Sequence, residues 1–279
     1  MADTAGASQL LSEVERSFSA SPDRRLQDVL LAAVRHLHAF VEEVRPSTEE
    51  WRAGVDFLTA VGRMCSDTRQ EFILLSDVLG VSSLVEMLAF GGAHGATENT
   101  VLGPFYAPGS PRRRYGDSIL EDPDEGQRLL VRGRVTDLAG RPVARATIDV
   151  WQNASSRLYA VQDPNQHPHN LRGKFTSGGD GEFAFRTIRP VPYPIPDDGP
   201  VGGLLKASGR HPWRAAHVHL LVSAPGHKTL TTHVFDARSD YLDSDAVFGV
   251  RDSLVVEFTT DGRTGELVAD FDVALEPVG

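Results

Sequence analysis

Between residues 26 and 44 apolar side chains recur every three or four positions: Leu26, Val29, Leu30, Ala33, Val34, Leu37, Val41 and Val44. That period marks one face of an α-helix. Ser21-Pro22-Asp23 supplies an N-cap with proline at the first helical position, and Pro46 stops the run. Ser47-Thr48-Glu49-Glu50 has the form of a capping box. It opens a second helix striped with Trp51, Val55, Leu58, Val61 and Met64. A third helix is predicted from near Asp67 to Leu79, closed by Gly80, and a fourth from Ser82 to Ala89, closed by Gly91-Gly92. Residues 1 to about 20 are small and polar and are expected to be loosely ordered at the extreme end.

The pattern then changes. Residues 93–127 are rich in Gly, Pro, Ser and Asp and have the composition of a connector. From Leu129 onward short runs of strand composition alternate with turn signals. Predicted strands are 129–136, 145–151, 181–188, 216–223, 229–235, 252–258 and 269–275. Turns are marked by Leu138-Ala139-Gly140, Gly178-Gly179-Asp180-Gly181, Ala224-Pro225-Gly226 and Asp261-Gly262. Short strands with few intervening helices predict a mainly β protein, an antiparallel β-sandwich preceded by a helical segment. The boundaries are a helical N-terminal domain at 1–92, a connector at 93–127 and a β-sandwich domain at 128–279. One irregular segment, Val191 to Trp213, carries repeated prolines. These exclude a central strand and suit a stiff loop that walls a site.

Composition narrows the classes. The chain has 279 residues, 41% hydrophobic and 24% charged, ordinary for a globular protein. A formal net charge of -10 argues against nucleic acid or an anionic membrane as partner. Arg112-Arg113-Arg114 is short, is followed by the acidic run Glu121 to Glu125, and fits a solvated loop. Cys65 is the only cysteine. It sits among apolar neighbours as a packed thiol, and neither an intrachain disulfide nor a thiolate metal cage can form. No basic-then-apolar leader and no membrane-length apolar run is found, so the expectation is a cytoplasmic protein.

The ten histidines include three His-x-His pairs. His36 and His38 lie in a helical pattern, where residues two apart diverge by about 200°. His167 and His169 flank Pro168 in a polar loop. His217 and His219 alone combine strand spacing with an apolar setting, so both imidazoles point to one face of a sheet, as a metal site requires. No carboxylate lies beside them, which leaves the remaining ligands open. His233 on the next strand would complete a zinc-type triad. Tyrosine is the other option, because a phenolate is a hard anionic donor suited to a trivalent ion. An isolated tyrosine such as Tyr159 or Tyr193 is otherwise a packing residue with a hydrogen-bonded hydroxyl.

Taken in order, Tyr159, Tyr193 within Pro192-Tyr193-Pro194-Ile195-Pro196, Arg214, and His217-Val218-His219 resemble the ligand set of the intradiol ring-cleaving dioxygenases. Leu158-Tyr159 followed by Gln162-Asp163, and Arg210-His211-Pro212-Trp213-Arg214, resemble that family's approaches to its ligands. Ala215-Ala216 departs from the family, which usually has a proline before the first histidine. Glu71 to Val81 and Thr97 to Tyr106 are similar to the hydroxyquinol branch, and Ile195 to Gly202 is shared in kind by the hydroxyquinol and chlorocatechol branches. Plain catechol enzymes generally carry glutamine at the position of His233.

The resemblance implies one non-haem Fe(III) per subunit, held by Tyr159, Tyr193, His217 and His219. It implies cleavage of an aromatic diol or triol by O2 between the hydroxylated carbons. The substrate would be hydroxyquinol (benzene-1,2,4-triol) and the product 3-hydroxy-cis,cis-muconate, which tautomerises to maleylacetate. Tyr193 would serve as the displaceable base, and Arg214 would stabilise charge on the ring. A loop-anchoring salt bridge is the alternative role for Arg214. The pocket carried over by position is Leu74, Asp77, Val101, Leu102, Gly103, Pro104, Phe105, Ile195, Pro196 and Val247. In it Asp77 would accept a hydrogen bond from the third hydroxyl. The helical N-terminus would form a homodimer interface, with a lipid between the helices in some relatives. The alternatives are a catechol or chlorocatechol 1,2-dioxygenase, a divalent-metal enzyme built on His217, His219 and His233, and a non-enzymatic carboxypeptidase-regulatory-like module across 129–188.

Overall fold

The computed structural model describes residues 4–66, 69–89 and 94–278. It divides into two compact units, Met1–Ala60 and Val61–Gly279. The first holds three helices, α1 (Thr4–Ser17), α2 (Arg24–Val44) and most of α3 (Thr48–Met64). α1 occupies most of the small, polar stretch, and the extreme end expected to be loosely ordered, residues 1–3, lies outside the described residues. Asp23, not Ser21, caps α2, and its carboxylate accepts from Leu26 N at 3.0 Å. Arg45 then turns into the left-handed region at φ 48°, and Pro46 prevents continuation. The capping box before α3 is reciprocal: Glu50 N donates to Ser47 Oγ (3.2 Å), and Ser47 N donates to the Glu50 carboxylate (2.7 Å). α2 buries none of its residues fully. It exposes Leu26, Val29, Leu37, Phe40, Val41 and Val44, and α3 exposes Trp51, Val55 and Leu58.

In the second unit α4 (Glu71–Val78) and α5 (Val81–Ala89) meet at Gly80, whose φ of 73° makes the corner. The predicted start near Asp67 and the Gly91-Gly92 stop lie outside the described residues. The strands are β1 (Arg128–Asp137), β2 (Thr147–Trp151), β3 (Arg172–Thr176), β4 (Glu182–Ile188), β5 (Tyr193–Pro194), β6 (Trp213–Arg214), β7 (His217–Ser223), β8 (Leu230–Asp236), β9 (Val255–Val256), β10 (Thr259–Thr260), β11 (Leu267–Asp270) and β12 (Val273–Leu275). One five-stranded sheet runs β10-β11-β1-β12 with β4 also on β1; the other runs β3-β2-β7-β8-β9. Strand orientation is mixed rather than antiparallel throughout. β1 pairs in parallel with β11 and β12, and β8 with β9. Long crossovers allow this: the chain leaves β8, passes two short 3₁₀ turns and re-enters alongside in the same direction.

The irregular segment Val191 to Trp213 is more ordered than its prolines suggested. It contains α6 (Pro200–Ala207), with Pro200 in the first turn, and the two-residue ladder β5–β6. Side chains from both large sheets share one apolar core: Leu129, Val131 and Phe185 from one, Ile148, Val150, Val218, Leu220 and Val234 from the other. Sending Val218, Leu220 and Val222 into that core forces His217 and His219 to the opposite face. Among the described residues no single helix is long and apolar enough to cross a membrane; α4 and α5 pass that test only as a bent pair.

Candidate active site

Register assembles the site. Across β2, β7 and β8, Trp151 lies opposite His219, and His219 opposite His233. Tyr193 on β5 lies opposite Arg214 on β6. Tyr159 comes from the loop after β2, where Arg157 takes a left-handed φ of 69°, and the Gln162 side chain accepts from Tyr159 N at 3.0 Å. The polar tips converge. Tyr159 Oη is 3.0 Å from His219 Nε2, and His219 Nε2 is 3.1 Å from His217 Nε2. Arg214 Nη1 is 3.2 Å from His217 Nε2 and 3.2 Å from Tyr193 Oη. All five side chains are buried. Trp151 stacks on His219 with centroids 4.6 Å apart, and Phe105 stacks on Tyr159 at 4.7 Å.

The protonation states leave donor atoms available to a cation at this point. His217 Nδ1 donates to Ala215 O at 2.7 Å, which leaves a lone pair on Nε2. Burial keeps both His217 and His219 neutral, well below the ordinary histidine range, with Arg214 adding to the effect. Burial, followed by the neighbouring Tyr193, pushes the Tyr159 phenol well above its usual range, so ionisation there needs a compensating positive charge. Edges of about 3 Å between donor atoms match ligands about 2.0–2.2 Å from one ion. The residues fit a metal ion bound between two imidazoles and two phenols.

His233 does not complete that set by its present orientation. One nitrogen from each of His217, His219 and His233 lies within 4.8 Å of the others. Yet the His217 and His233 rings are nearly parallel, 4.4 Å apart with a 21° interplanar angle. Stacked rings direct their lone pairs along parallel planes, not at one point. His233 is fully buried, and among the described residues neither ring nitrogen makes a well-formed hydrogen bond, although the Val101 backbone interacts with the ring.

Of the expected pocket residues, Phe105 and Gly103 reach the donor set directly; a Cβ at Gly103 would lie 3.6 Å from His219 Cε1. Leu74, Asp77, Val101, Ile195 and Val247 are buried, Pro196 is half-buried, and Leu102 and Pro104 are exposed. Burial raises the Asp77 carboxyl above the ordinary range, opposed by the Ser82 hydroxyl and by Arg214. The other histidine pairs behave as their settings suggested. His36 and His38 lie on α2, and His167 and His169 form a loop turn in which His169 N donates to His167 Nδ1.

Residues 101–277 match the family described as Dioxygenase, and residues 23–97 match the Catechol dioxygenase N terminus. The chain belongs to the intradiol ring-cleaving dioxygenases. This dioxygenase is 50% identical over 257 residues to 6-chlorohydroxyquinol 1,2-dioxygenase of Cupriavidus pinatubonensis, covering 92% of each chain. It is 49% identical over 237 residues to hydroxyquinol 1,2-dioxygenase of a Rhizobium species, covering 85% of this chain and 80% of the relative. It superposes on the crystal structure of hydroxyquinol 1,2-dioxygenase from Pseudomonas putida DLL-E4 with a TM-score of 0.92, at 45% identity over 98% and 99% of the two chains. The non-enzymatic module reading is thereby corrected: its motifs at 129–188 are part of a dioxygenase.

Two residues of this dioxygenase's site were not anticipated. Trp151 read only as the end of a strand, and its place beside His219 comes from the β2–β7 register. Asp245 sits in the polar run Leu242-Asp243-Ser244-Asp245, whose composition suggests a solvated turn. Instead it is 5% exposed and carries the ion pair to Arg214, with Arg214 Nε to Asp245 Oδ1 at 3.1 Å. Burial alone would work against the Arg214 charge. Asp245 and then Tyr193 outweigh it and hold the guanidinium above its usual range.

Proposed function

We propose that this dioxygenase opens hydroxyquinol with O2, using one Fe(III) per subunit held by Tyr159, Tyr193, His217 and His219. The observation that carries the reading is the convergence of two phenol oxygens and two imidazole nitrogens within 3.0–3.2 Å steps of one another and of Arg214. Two phenolates are hard anionic donors and favour a trivalent ion over a divalent one. When bound, ferric iron supplies Lewis-acid activation of the diol for reaction with O2. The relatives named for hydroxyquinol and chlorohydroxyquinol support the choice of substrate.

The chain's own groups then divide the work. Tyr193 Oη, hydrogen-bonded to Arg214, is the base that takes a proton from the diol. Tyr159, under the Phe105 ring, keeps its place. Arg214 is a fixed cation beside the negative charge that builds on the ring. The apolar side chains of Leu74, Val101, Leu102, Pro104, Ile195, Pro196 and Val247, with Gly103 and Phe105, sandwich the ring and keep water out. Asp77 accepts a hydrogen bond from the third hydroxyl. Cleavage between the two hydroxylated carbons places both oxygen atoms of O2 in the product, 3-hydroxy-cis,cis-muconate. The apolar stripe of α2 and α3 forms a homodimer interface and is where a lipid chain would lie. The enzyme would work in the cytoplasm.

Oxygen uptake with hydroxyquinol, 6-chlorohydroxyquinol, catechol and chlorocatechols tests the reading. The expected order has hydroxyquinol first, with one O2 consumed per ring. Faster turnover of catechol or a chlorocatechol would overturn the substrate assignment.

A further inference from the structure

Arg214 could hold several orientations in an open cleft; here it holds one. Nε and Nη2 face Asp245 Oδ1 and Oδ2 at 3.1 and 3.4 Å, a fork-to-fork pairing with both side chains 2% exposed. Gly249 N donates to Asp245 Oδ2 at 2.8 Å, so the carboxylate is itself fixed. Thr100 Oγ1 donates to Gly249 O at 2.7 Å and ties the same turn to the loop that carries Val101. Only Nη1 is left to face Tyr193 Oη and His217 Nε2. The turn that presents Asp245 is strained, since Phe248 sits at φ 54°. That conformation is costly for a bulky side chain and survives where its surroundings over-determine it. Here Phe248 N donates to Asp245 O, and Ser83 Oγ and Arg251 Nη1 both donate to Phe248 O. Gly249 lets the turn pass close to the guanidinium: a Cβ there would stand 2.7 Å from Nη2.

We infer that Asp245 is a positioning residue, whose carboxylate aims the Arg214 guanidinium so that Nη1 meets Tyr193 Oη. The inference rests on the role given to Arg214 above. It differs from a merely structural ion pair in where the loss falls: in kcat, with KM, iron content and the visible spectrum close to parental.

The test uses iron-loaded enzyme carrying Arg214→Gln, Asp245→Asn, both together, and Gly249→Ala, with kcat and KM for hydroxyquinol, iron content and the visible spectrum measured on each. Asp245→Asn should lower kcat by roughly 10–100-fold, the cost of a displacement of about 1 Å in a catalytic group, with KM far less affected. In the Arg214→Gln background it should cost nothing more, because the two residues act as one unit. Gly249→Ala keeps every charge and has no left-handed φ to strain. It should also lower kcat while iron content stays full, and it carries the test if Asp245→Asn does not fold. Parental kcat in Asp245→Asn or Gly249→Ala beside an impaired Arg214→Gln would overturn the inference alone. So would an additional loss in the double variant. Parental kcat in Arg214→Gln would overturn both the role of Arg214 and the inference built on it.

Discussion

The helices of Met1–Ala60 and the sheets beyond Val61 place the same residue types in opposite ways. On α2 and α3 large apolar side chains such as Leu37, Phe40 and Trp51 are more than half exposed. In the sheet unit the polar side chains Arg214, His217, His219, His233 and Asp245 are buried. Each arrangement is unfavourable for an isolated chain in water. An exposed apolar stripe gains by covering itself with protein or lipid. A buried polar cluster gains by holding an ion and performing chemistry there. The two His-x-His settings repeat the lesson in miniature. On α2, His36 and His38 diverge around a helix; on β7, His217 and His219 share a face because Val218 between them is fixed in the core.

The largest effect should come from breaking the buried cluster. His219→Ala should lose its iron, and oxygen uptake should fall by more than the roughly 100-fold that outer-sphere changes cost. Replacing both His36 and His38 by alanine should leave metal content and rate unchanged; parallel metal analyses decide between them. Arg214→Gln should keep its iron but lose about 10²–10³-fold in kcat, because it removes one preorganised charge and no ligand. Asp77→Ala should cut the preference for the triol over catechol by roughly 10–100-fold, the value of a hydrogen bond to a charged acceptor. Competition kinetics would expose an unchanged preference. On the helical side, Leu37→Asp combined with Phe40→Asp should convert a dimer to monomers in light scattering while changing the rate per subunit by no more than about twofold. A mass unchanged by those charges would remove the interface reading.

The smallest expected effect lies at the surface. The Arg69 guanidinium beside Asp198 holds that carboxyl below its usual range of about 3.8. A depressed carboxyl stabilises the fold above its unfolded value and loses that contribution as pH falls through the folded one. Thermal melts of the parent and of Asp198→Asn should therefore differ slightly near neutrality and converge below about pH 3.8. Asp198 is mostly exposed, so the gap stays small.

Much of this was legible along the chain, for identifiable reasons. Apolar periods placed α2 to α5, and the Ser47–Glu50 capping box is a local device that needs no tertiary context. Strand spacing singled out His217 and His219, whereas Tyr159 and Tyr193 joined them only through the resemblance to the family, since spacing alone left the other ligands open. Other features escaped. α1 has few apolar residues to set a period. α6 was hidden by prolines that exclude a central strand yet suit a helix's first turn. The parallel pairs of β1 with β11 and β12 join residues more than 130 positions apart, which no local pattern reports. Asp245 escaped for the same reason on a smaller scale: its partner lies 31 residues away, and the hydrogen bond from Ala246 N to Trp213 O helps bring them together.

The visible spectrum of the iron-loaded protein tests the central claim most directly. Two phenolates on Fe(III) should give a wine-red charge-transfer band that shifts when a catechol is added without oxygen and bleaches on reduction. Tyr193→Phe and Tyr159→Phe should each weaken it, and the His36/His38 double variant should not. A colourless protein carrying one iron per subunit would contradict the assignment of Tyr159 and Tyr193 as ligands, and with it the proposed ring-opening centre.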